Sequence, residues 1–193
     1  MTTVTTASNF DPVTGRARLL ELVRELAYKD GLDITLVSGK RSDFYIQGKK
    51  VTLHPEGLNL MSRLLLKDLE NYPEITAIGG LTMGADPIAS AMAALSFDTG
   101  QNLNAFLVRK EAKGHGVGSR IEGEISAGEK VAIIEDTVTT GGSARKAIEA
   151  VLEVGAVPVV VYALADREDT DAAGFREEFN VHCLYGLAEI RGD

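Results

Sequence analysis

The sequence contains a single cysteine, Cys183, so no internal disulfide can form. This residue lies in the apolar run VHCLYGL, where a small buried thiol is expected. A chain with so little cysteine suits a reducing compartment, and the prediction is a cytoplasmic location.

Long hydrophobic runs are absent as well, since none approaches the roughly 18 apolar residues of a membrane span. The first residues, MTTVTTASNFDP, lack the basic and apolar regions of a secretory signal, and residues 1–10 are predicted to form a flexible tail. No repeat and no Pro/Ser-rich linker divides the remainder. The prediction is one domain over residues 1–193 with no membrane contact.

Positive charge is in deficit, because 20 Lys and Arg residues stand against 28 Asp and Glu residues, for a net charge of -8. A surface of this sign repels the phosphate backbone of nucleic acids, so no nucleic-acid partner is expected. Any local cluster of basic residues then needs a local explanation, such as an anionic small molecule.

What the chain does contain is an alternation of helix-like and strand-like segments. Asp11 and Pro12 have the pattern of a helix N-cap and first helical position, and apolar residues recur at helical spacing from there to Asp30 and Gly31. Two strand-like runs, at residues 34–37 and 44–47, flank a polar turn and predict a β-hairpin.

From Pro55 onward the alternation is regular. A helical pattern covers Pro55 to Glu70, and strand, helix, strand, strand, helix and strand patterns follow in ITAIG, ADPIASAMAAL, NAFLVR, KVAIIE, SARKAIEAVLEV and VPVVVYALA. This order predicts an α/β fold with a central, mostly parallel sheet flanked by helices. KVAIIE and VPVVVYALA are almost continuously apolar, which predicts that they lie in the centre of the sheet.

The most polar turn of the predicted sheet follows KVAIIE. Glu135 and Asp136 close that strand, and residues 137–143 combine hydroxyl groups with two glycines before the next helix. Backbone N–H groups at a glycine-rich helix start bind phosphate, and paired carboxylates suit sugar hydroxyls and a hydrated Mg²⁺. The pattern therefore predicts a sugar-phosphate site; a plain helix cap is the alternative, which the acidic pair disfavours.

A basic segment punctuated by three glycines lies upstream. Arg109, Lys110, Lys113, His115 and Arg120 indicate a lid over an anionic leaving group or, alternatively, an ordinary solvated charge run. The turn GGLTMGADPIA, residues 79–89, is either a second phosphate site or a plain tight turn. The segment at residues 131–143 does not match a Walker A loop, and GHGVGS, residues 114–119, is not a dinucleotide-binding fingerprint, because RIEGEI after it has no helical pattern.

Three segments together resemble one known family. VAIIEDTVTTGGS resembles the phosphoribosyl diphosphate (PRPP) motif of type I phosphoribosyltransferases. RKEAKGHGVGSRIEG and SGKRSDFYIQGKKVTLHPEG resemble the mobile catalytic loop and the N-terminal substrate hairpin of orotate phosphoribosyltransferases. The resemblance covers about residues 13 to 190 and implies the type I fold, with a hood at residues 11–55 and a mobile loop at residues 110–125.

This family transfers the phosphoribosyl group of PRPP to orotate, which yields orotidine 5′-monophosphate and diphosphate in de novo pyrimidine synthesis. The resemblance thus implies a glycosyltransferase that requires Mg²⁺ and takes PRPP and orotate as substrates. It also implies a homodimer in which each mobile loop reaches the active site of the other subunit. The alternatives are a phosphoribosyltransferase for another base and a non-catalytic regulator that senses PRPP.

The family's site residues carry over by position. The implied catalytic residues are Lys113, His115 and Asp136. The metal has no certain direct protein ligand and would be bound through PRPP near Glu135 and Asp136. The implied orotate-binding residues are Thr139, Arg167, Phe44, Tyr45 and Lys40, with Phe44 and Tyr45 dividing a stacking and a packing role between them. The implied PRPP-binding residues are Arg109, Lys110, Lys113, His115, Glu135, Asp136, Thr137, Val138, Thr139, Thr140, Gly141, Gly142 and Ser143.

The sequence departs from the family at two points. Many members carry a lysine where Val37 stands here, and another in the turn that corresponds to residues 82–84. Lys40, Arg41 and Lys49 are the candidates for replacing the missing positive charge. Binding of orotate and diphosphate is therefore expected to be weaker or differently arranged at these points.

Overall fold

The computed structural model describes residues 10–35, 39, 41–111 and 120–192. Its helices are α1 (Pro12–Leu22), α2 (Lys49–Thr52), α3 (Pro55–Leu69), α4 (Asp86–Thr99), α5 (Gly142–Glu153), α6 (Ala173–Glu178) and α7 (Leu187–Arg191). Its strands are β1 (Tyr28–Lys29), β2 (Ile34–Thr35), β3 (Arg41–Ser42), β4 (Tyr45–Ile46), β5 (Ala77–Leu81), β6 (Asn104–Val108), β7 (Ile121–Glu122), β8 (Lys130–Val138), β9 (Val157–Asp166) and β10 (Val181–Gly186).

Six strands form the central sheet, in the order β10, β9, β8, β5, β6, β7. Neighbouring strands are parallel except at one edge, where β7 pairs antiparallel with β6. The predicted α/β architecture is confirmed, and KVAIIE and VPVVVYALA form the interior strands β8 and β9. Within the described ranges, no helix is long and apolar enough to cross a membrane.

The core lies on both faces of this sheet, because successive side chains of a strand point to opposite faces. On β8, Ala132 and Ile134 pack in the core that α1, α3 and α4 cover. Val131 and Ile133 pack in the core on the other face, which α5 covers. Burial on both faces explains why the sequence of β8 is continuously apolar rather than alternating.

Helix α1 begins as predicted and ends earlier than predicted. The Asp11 carboxylate accepts hydrogen bonds from the backbone N–H groups of Val13 and Thr14, and Pro12 occupies the first turn. The α-helix stops at Leu22, continues as a π-helical turn over Val23–Ala27, and gives way to β1 rather than reaching Asp30. Apolar spacing alone did not reveal this change, because a π-helical turn keeps one face buried.

The predicted hairpin has different strand partners in the structure. β2 pairs with β3, so Ile34 lies opposite Ser42, whereas β4 pairs with β1, so Ile46 lies opposite Tyr28. For the described residues, the prediction that the run from Ile34 pairs with the run at residues 44–47 is wrong, because runs of two to four residues are too short for their alternation to select a partner. Val37, Ser38 and Lys40 lie outside the described residues.

Two further segments differ from the sequence interpretation. Residues 121–122 of the predicted mobile loop form β7 at the sheet edge, while residues 112–119 lie outside the described residues. Cys183 lies on the edge strand β10 and is only partly buried, against the core around Phe175. Burial nevertheless raises the pKa of its thiol to about 12, so the group is protonated at neutral pH.

Candidate active site

The acidic pair lies inside the carboxyl end of β8 rather than after it. β8 extends to Val138, three residues beyond the predicted end, because Thr137 and Val138 still pair with β9. Glu135 is 7% exposed and Asp136 is 9% exposed. Two buried carboxylates at the carboxyl end of an interior parallel strand occupy the position where α/β sheets bind their ligands.

Glu135 and Asp136 lie in different electrostatic environments, although they are neighbours. Burial raises the pKa of Glu135, and the hydrogen bond to Asp136 and the charge of Asp136 raise it further. The Asp136 carboxylate accepts a hydrogen bond from the Thr137 N–H at 2.9 Å and one from the Lys49 ammonium at 2.7 Å. The raised pKa favours the protonated form of Glu135, while the Asp136 carboxylate is bonded to a cation.

Lys49 enters this site from the hood, at the start of α2. Burial lowers the pKa of its ammonium, but the hydrogen bond to Asp136 and the charges of both carboxylates outweigh this effect and leave the pKa above its ordinary value. Gly48 makes the approach feasible, because a Cβ at this residue would lie 2.7 Å from the Thr137 Oγ1. The hood is thus packed directly onto the acidic strand.

The loop after the acidic pair forms a small cradle. Residues 137–144 line a cavity of about 80 Å³ together with Glu135, at the N-terminus of α5. Gly141 has a φ of 78°, and a Cβ there would lie 2.3 Å from the Phe175 ring, so only glycine fits. The structure thus brings the predicted loop residues Thr137, Val138, Thr139, Thr140, Gly141, Gly142 and Ser143 around one pocket of single-anion size, where N–H groups at the helix start are donors.

The turn between β5 and α4 closes the site on another side. A Cβ at Gly84 would lie 2.8 Å from Glu135 Oε1 and 3.1 Å from Asp136 Oδ1, so this turn touches both carboxylates. Thr82 donates to the Asp86 carboxylate at 2.6 Å, which ties the turn to the first residue of α4. The segment GGLTMGADPIA is therefore part of the site.

A second, larger cavity lies beside the first. It measures about 480 Å³ and is lined by Leu32, Asp33, Arg41, Ser42, Asp43, Phe44, Arg167 and Asp169. Arg167 is 7% exposed, and its Nε is buried without a hydrogen-bond partner. Burial also lowers the pKa of this guanidinium. A buried guanidinium with an unused donor is a fitting receptor for a planar carboxylate.

The two hood aromatics have different environments. Phe44 is buried, with the Arg167 and Arg191 guanidinium carbons 4.6 and 4.8 Å from its ring centroid. Tyr45 is 40% exposed, and its phenol is close enough to Lys49 and Arg167 to act electrostatically on both. Phe44 therefore has the packing role, and Tyr45 offers the free aromatic surface.

The basic loop is described only in part. Lys113 and His115 lie outside the described residues, as does Lys40 of the hood. Arg109 follows β6, where its Nε donates to Glu122 at 2.7 Å, and Lys110 is exposed beside it. Arg120 is paired with Glu153 at 2.9 Å. Both arginines of the predicted cluster therefore bond carboxylates of this chain instead of standing ready for a ligand.

Several residues of the site belong to no local sequence pattern that would place them there. Ser42 accepts from Arg167 at 3.4 Å, and Arg191 lies over Phe44 although it is near the end of the chain. Lys49 was one of three candidates for a missing cation, and only its contact with Asp136 distinguishes it. These residues are joined to the motif by tertiary contacts, which local patterns do not encode.

Known proteins share this arrangement over nearly the whole chain. No family model matches the sequence. The orotate phosphoribosyltransferase of Corynebacterium glutamicum (strain R) is 41% identical over 185 residues, which are 95% of this chain and 98% of that protein.

Solved structures agree with this relative. The orotate phosphoribosyltransferase of Mycobacterium tuberculosis in complex with Fe(III) dicitrate has a TM-score of 0.77 at 38% identity, covering 91% of this chain and 98% of that one. The same enzyme in complex with PRPP has a TM-score of 0.73 at 35% identity, covering 92% of this chain and 99% of that one. Fold and site together define a type I phosphoribosyltransferase. The chain belongs to the orotate phosphoribosyltransferase family.

Proposed function

We propose that this chain transfers the phosphoribosyl group of PRPP to orotate, giving orotidine 5′-monophosphate and diphosphate for pyrimidine synthesis. The observation that carries the proposal is the position of Arg167. Its buried guanidinium lines the larger cavity, while its backbone N–H donates to the Val138 carbonyl of the phosphate cradle at 3.0 Å. A receptor for a carboxylate therefore adjoins a receptor for a sugar phosphate.

PRPP is the ligand proposed for the cradle and the acidic pair. Residues 137–143 would surround the 5-phosphate, because N–H groups and the α5 dipole converge there. Glu135 and Asp136 would accept hydrogen bonds from the ribose hydroxyls. Arg109, Lys110, Lys113 and His115 are proposed for the diphosphate, and for Arg109 this requires exchange of its bond to Glu122 for one to the substrate.

Orotate is the ligand proposed for the larger cavity. Arg167 would bind the carboxylate of the base, Tyr45 would cover the ring, and Thr139 would contact its edge from the cradle. The Phe44 ring would pack against the Arg167 guanidinium and hold it in place. Orotate binding by Lys40 stays a prediction from the resemblance. The buried Arg167 guanidinium, with its unused Nε donor, favours an acidic pyrimidine over a neutral base.

Magnesium is also part of the proposal. The protein's carboxylates would supply only some of the oxygen ligands that this ion needs. The site supplies two buried carboxylates, and among the described residues no group of three or more His, Cys, Asp or Glu side chains is placed to hold a metal ion. The ion would therefore take most of its oxygen ligands from PRPP and water, near Glu135 and Asp136. When bound, it would neutralise charge on the diphosphate.

The chemistry needs little beyond positioning and electrostatics. Displacement at the anomeric carbon develops positive charge on the ribose and negative charge on the departing diphosphate. Asp136 lies where it would stabilise the ribose, and Lys113 and His115 are proposed as donors to the leaving group. No nucleophile of the protein and no covalent intermediate are required.

A homodimer in the cytoplasm completes the proposal. Large apolar side chains are exposed on the hood at Leu53, on the turn after β5 at Met83, and on α4 at Phe97. A second copy of the chain would bring its mobile loop to the site and could cover these side chains. Sedimentation of a fully active monomer would contradict the shared site.

The direct test measures diphosphate release from PRPP with a panel of bases, with and without Mg²⁺. Orotate is expected to support turnover, while adenine, hypoxanthine and uracil are expected to give little. Loss of turnover without Mg²⁺ is expected as well. No turnover with orotate under any condition would contradict the proposal, and binding of PRPP without turnover of any base would indicate a regulator instead.

A further inference from the structure

We propose that Lys49 binds the diphosphate group of the sugar substrate, and so replaces the positive charge that this chain lacks at Val37 and at residues 82–84. This inference rests on the proposed function, because it assumes that PRPP occupies the cradle. It assigns to a hood residue a part in substrate binding that the motifs alone do not.

The first argument is position. The Lys49 Nζ lies 2.7 Å from Asp136 Oδ2. The turn around Gly84 approaches the other oxygen of the same carboxylate, since a Cβ at Gly84 would lie 3.1 Å from Asp136 Oδ1. The Lys49 ammonium and the lysine-free turn therefore meet at one carboxylate. A cation carried by either segment would reach the same part of the substrate.

The second argument is donor capacity. An ammonium group has three donors, and Asp136 takes one of them. The Lys49 side chain is 44% exposed, whereas that of Asp136 is 13% exposed, so Lys49 stays accessible to solvent while it is bonded to a buried carboxylate. Lys49 can therefore keep its bond to Asp136 and still donate to an anion that enters from the open side.

The third argument is charge balance. PRPP brings several negative charges to a site that already holds a buried acidic pair, so an uncompensated site would repel the diphosphate. Among the described hood cations, Arg41 is bonded to Asp33 on the rim of the larger cavity, where both side chains are more than 70% exposed. Lys50 is exposed on the next residue of α2. Lys49 is the described hood lysine that contacts the acidic strand.

A purely structural alternative makes a different forecast. If Lys49 only neutralises Asp136, its removal frees that carboxylate, and every ligand that uses the ribose hydroxyls gains or loses affinity alike. If Lys49 binds the diphosphate, only ligands that contain this group lose affinity. Ribose 5-phosphate and PRPP differ in this group and share the remainder of the molecule.

The test compares wild type with Lys49→Met, Lys49→Arg and Lys50→Met, the last as a matched control on the neighbouring exposed lysine. Dissociation constants of PRPP, of inorganic diphosphate and of ribose 5-phosphate are measured by calorimetry with Mg²⁺, and thermal unfolding is recorded for each variant. For Lys49→Met we expect PRPP and diphosphate to bind on the order of 10- to 100-fold more weakly. Ribose 5-phosphate is expected to change less than about threefold, because it does not meet this charge-assisted bond.

Partial recovery in Lys49→Arg and wild-type values in Lys50→Met would complete the expected result. Equal changes for PRPP and ribose 5-phosphate, or unchanged diphosphate binding, would overturn the inference. Because Lys49→Arg keeps the ion pair with Asp136, a loss of stability in Lys49→Met does not obscure the outcome. Turnover of wild type with orotate reports separately on the proposed function, since the ligand ratios do not involve the base.

Discussion

The backbone N–H of Arg167 donates to the carbonyl of Val138 at 3.0 Å, so the residue that ends β9 is bonded to the residue that ends β8. Val138 lines the small cavity proposed for the phosphate, and Arg167 lines the larger cavity. The register of two neighbouring parallel strands therefore sets the distance between the proposed phosphate site and the proposed carboxylate receptor. Rigid strands hold such distances better than loops do.

Replacing Arg167 should separate base recognition from sugar binding. We expect Arg167→Met to raise the orotate KM by about 10- to 100-fold, because a charge-assisted carboxylate contact is lost. The PRPP KM should change little, and thermal stability should be maintained or improved, since a buried Nε without a partner disappears. Initial rates with each substrate varied in turn provide the measurement. A change in the PRPP KM alone would contradict the proposal that Arg167 binds orotate.

Glu135 should make the ligand-free protein less stable as the pH rises. Burial, followed by the hydrogen bond and charge of Asp136, raises the pKa of Glu135 to about 8. Because the folded-state pKa lies above the ordinary unfolded value, the stabilising contribution is complete below that ordinary value, near 4.5, and is lost as the pH rises through about 8.

The Glu135→Gln variant has no carboxyl group to ionise at this position. Comparing it with wild type therefore shows how ionisation of Glu135 affects stability. We expect the unfolding temperature of the variant to exceed that of wild type by several degrees at pH 8.5 and to match it near pH 4, in the absence of PRPP and Mg²⁺, since each pKa unit corresponds to about 1.4 kcal/mol. Differential scanning fluorimetry across this range is sufficient. A constant offset at all pH values would mean that Glu135 does not titrate between these limits.

Gly141 and Gly142 should differ sharply although they are neighbours. Gly141→Ala places a side chain at a φ of 78° and within 2.3 Å of Phe175, and should cost about 2–4 kcal/mol of unfolding free energy. Gly142→Ala has its nearest neighbour at 3.5 Å, the Thr140 hydroxyl, and should cost under about 1 kcal/mol. Urea unfolding of both variants measures the difference. Equal losses of unfolding free energy in the two variants would show that the backbone conformation at Gly141 is not the cause of the destabilisation.

Arg191 should influence orotate binding without touching the substrate. It donates to Tyr28 at 3.0 Å and to Asp43 at 3.1 Å and lies over Phe44, which supports Arg167. We expect Arg191→Met to raise the orotate KM by a few-fold while the PRPP KM stays constant, with partial rescue by Arg191→Lys. Arg18→Ala, which breaks surface pairs with Glu21 and Glu56, is the matched control and should change neither constant. Unchanged orotate kinetics would limit Arg191 to a structural role.

Lys113 is predicted from the resemblance to act on the leaving group. Lys113→Ala should lower kcat on the order of 10²–10³-fold and leave the unfolding temperature unchanged, because one transition-state donor is removed. Lys146→Ala, on the exposed face of α5, serves as the control. A variant with near-wild-type kcat would refute the role.

Features that one short segment specifies could be predicted from the sequence, whereas contacts between segments far apart in the sequence could not. The segment VAIIEDTVTTGGS specifies a strand, an acidic pair and a glycine turn through its local sequence, so the predicted strand and helix start are confirmed in β8 and α5. Its binding role stays a prediction. The partner of β4 is set by contacts with Tyr28, eighteen residues away in β1, and was predicted wrongly. Lys49 and Asp136 are separated by 87 positions, and no periodicity connects them. Local chemistry was readable, whereas the pairing of distant segments was not.

Tyr45 has a practical consequence for spectroscopy. The sequence contains no tryptophan, and this tyrosine is 40% exposed beside Lys49 and Arg167. A tryptophan introduced by Tyr45→Trp would be the only indole in the protein, positioned between the proposed sugar and base sites. Its emission would report on the arrival of each substrate in turn, which makes the order of binding accessible to stopped-flow fluorescence.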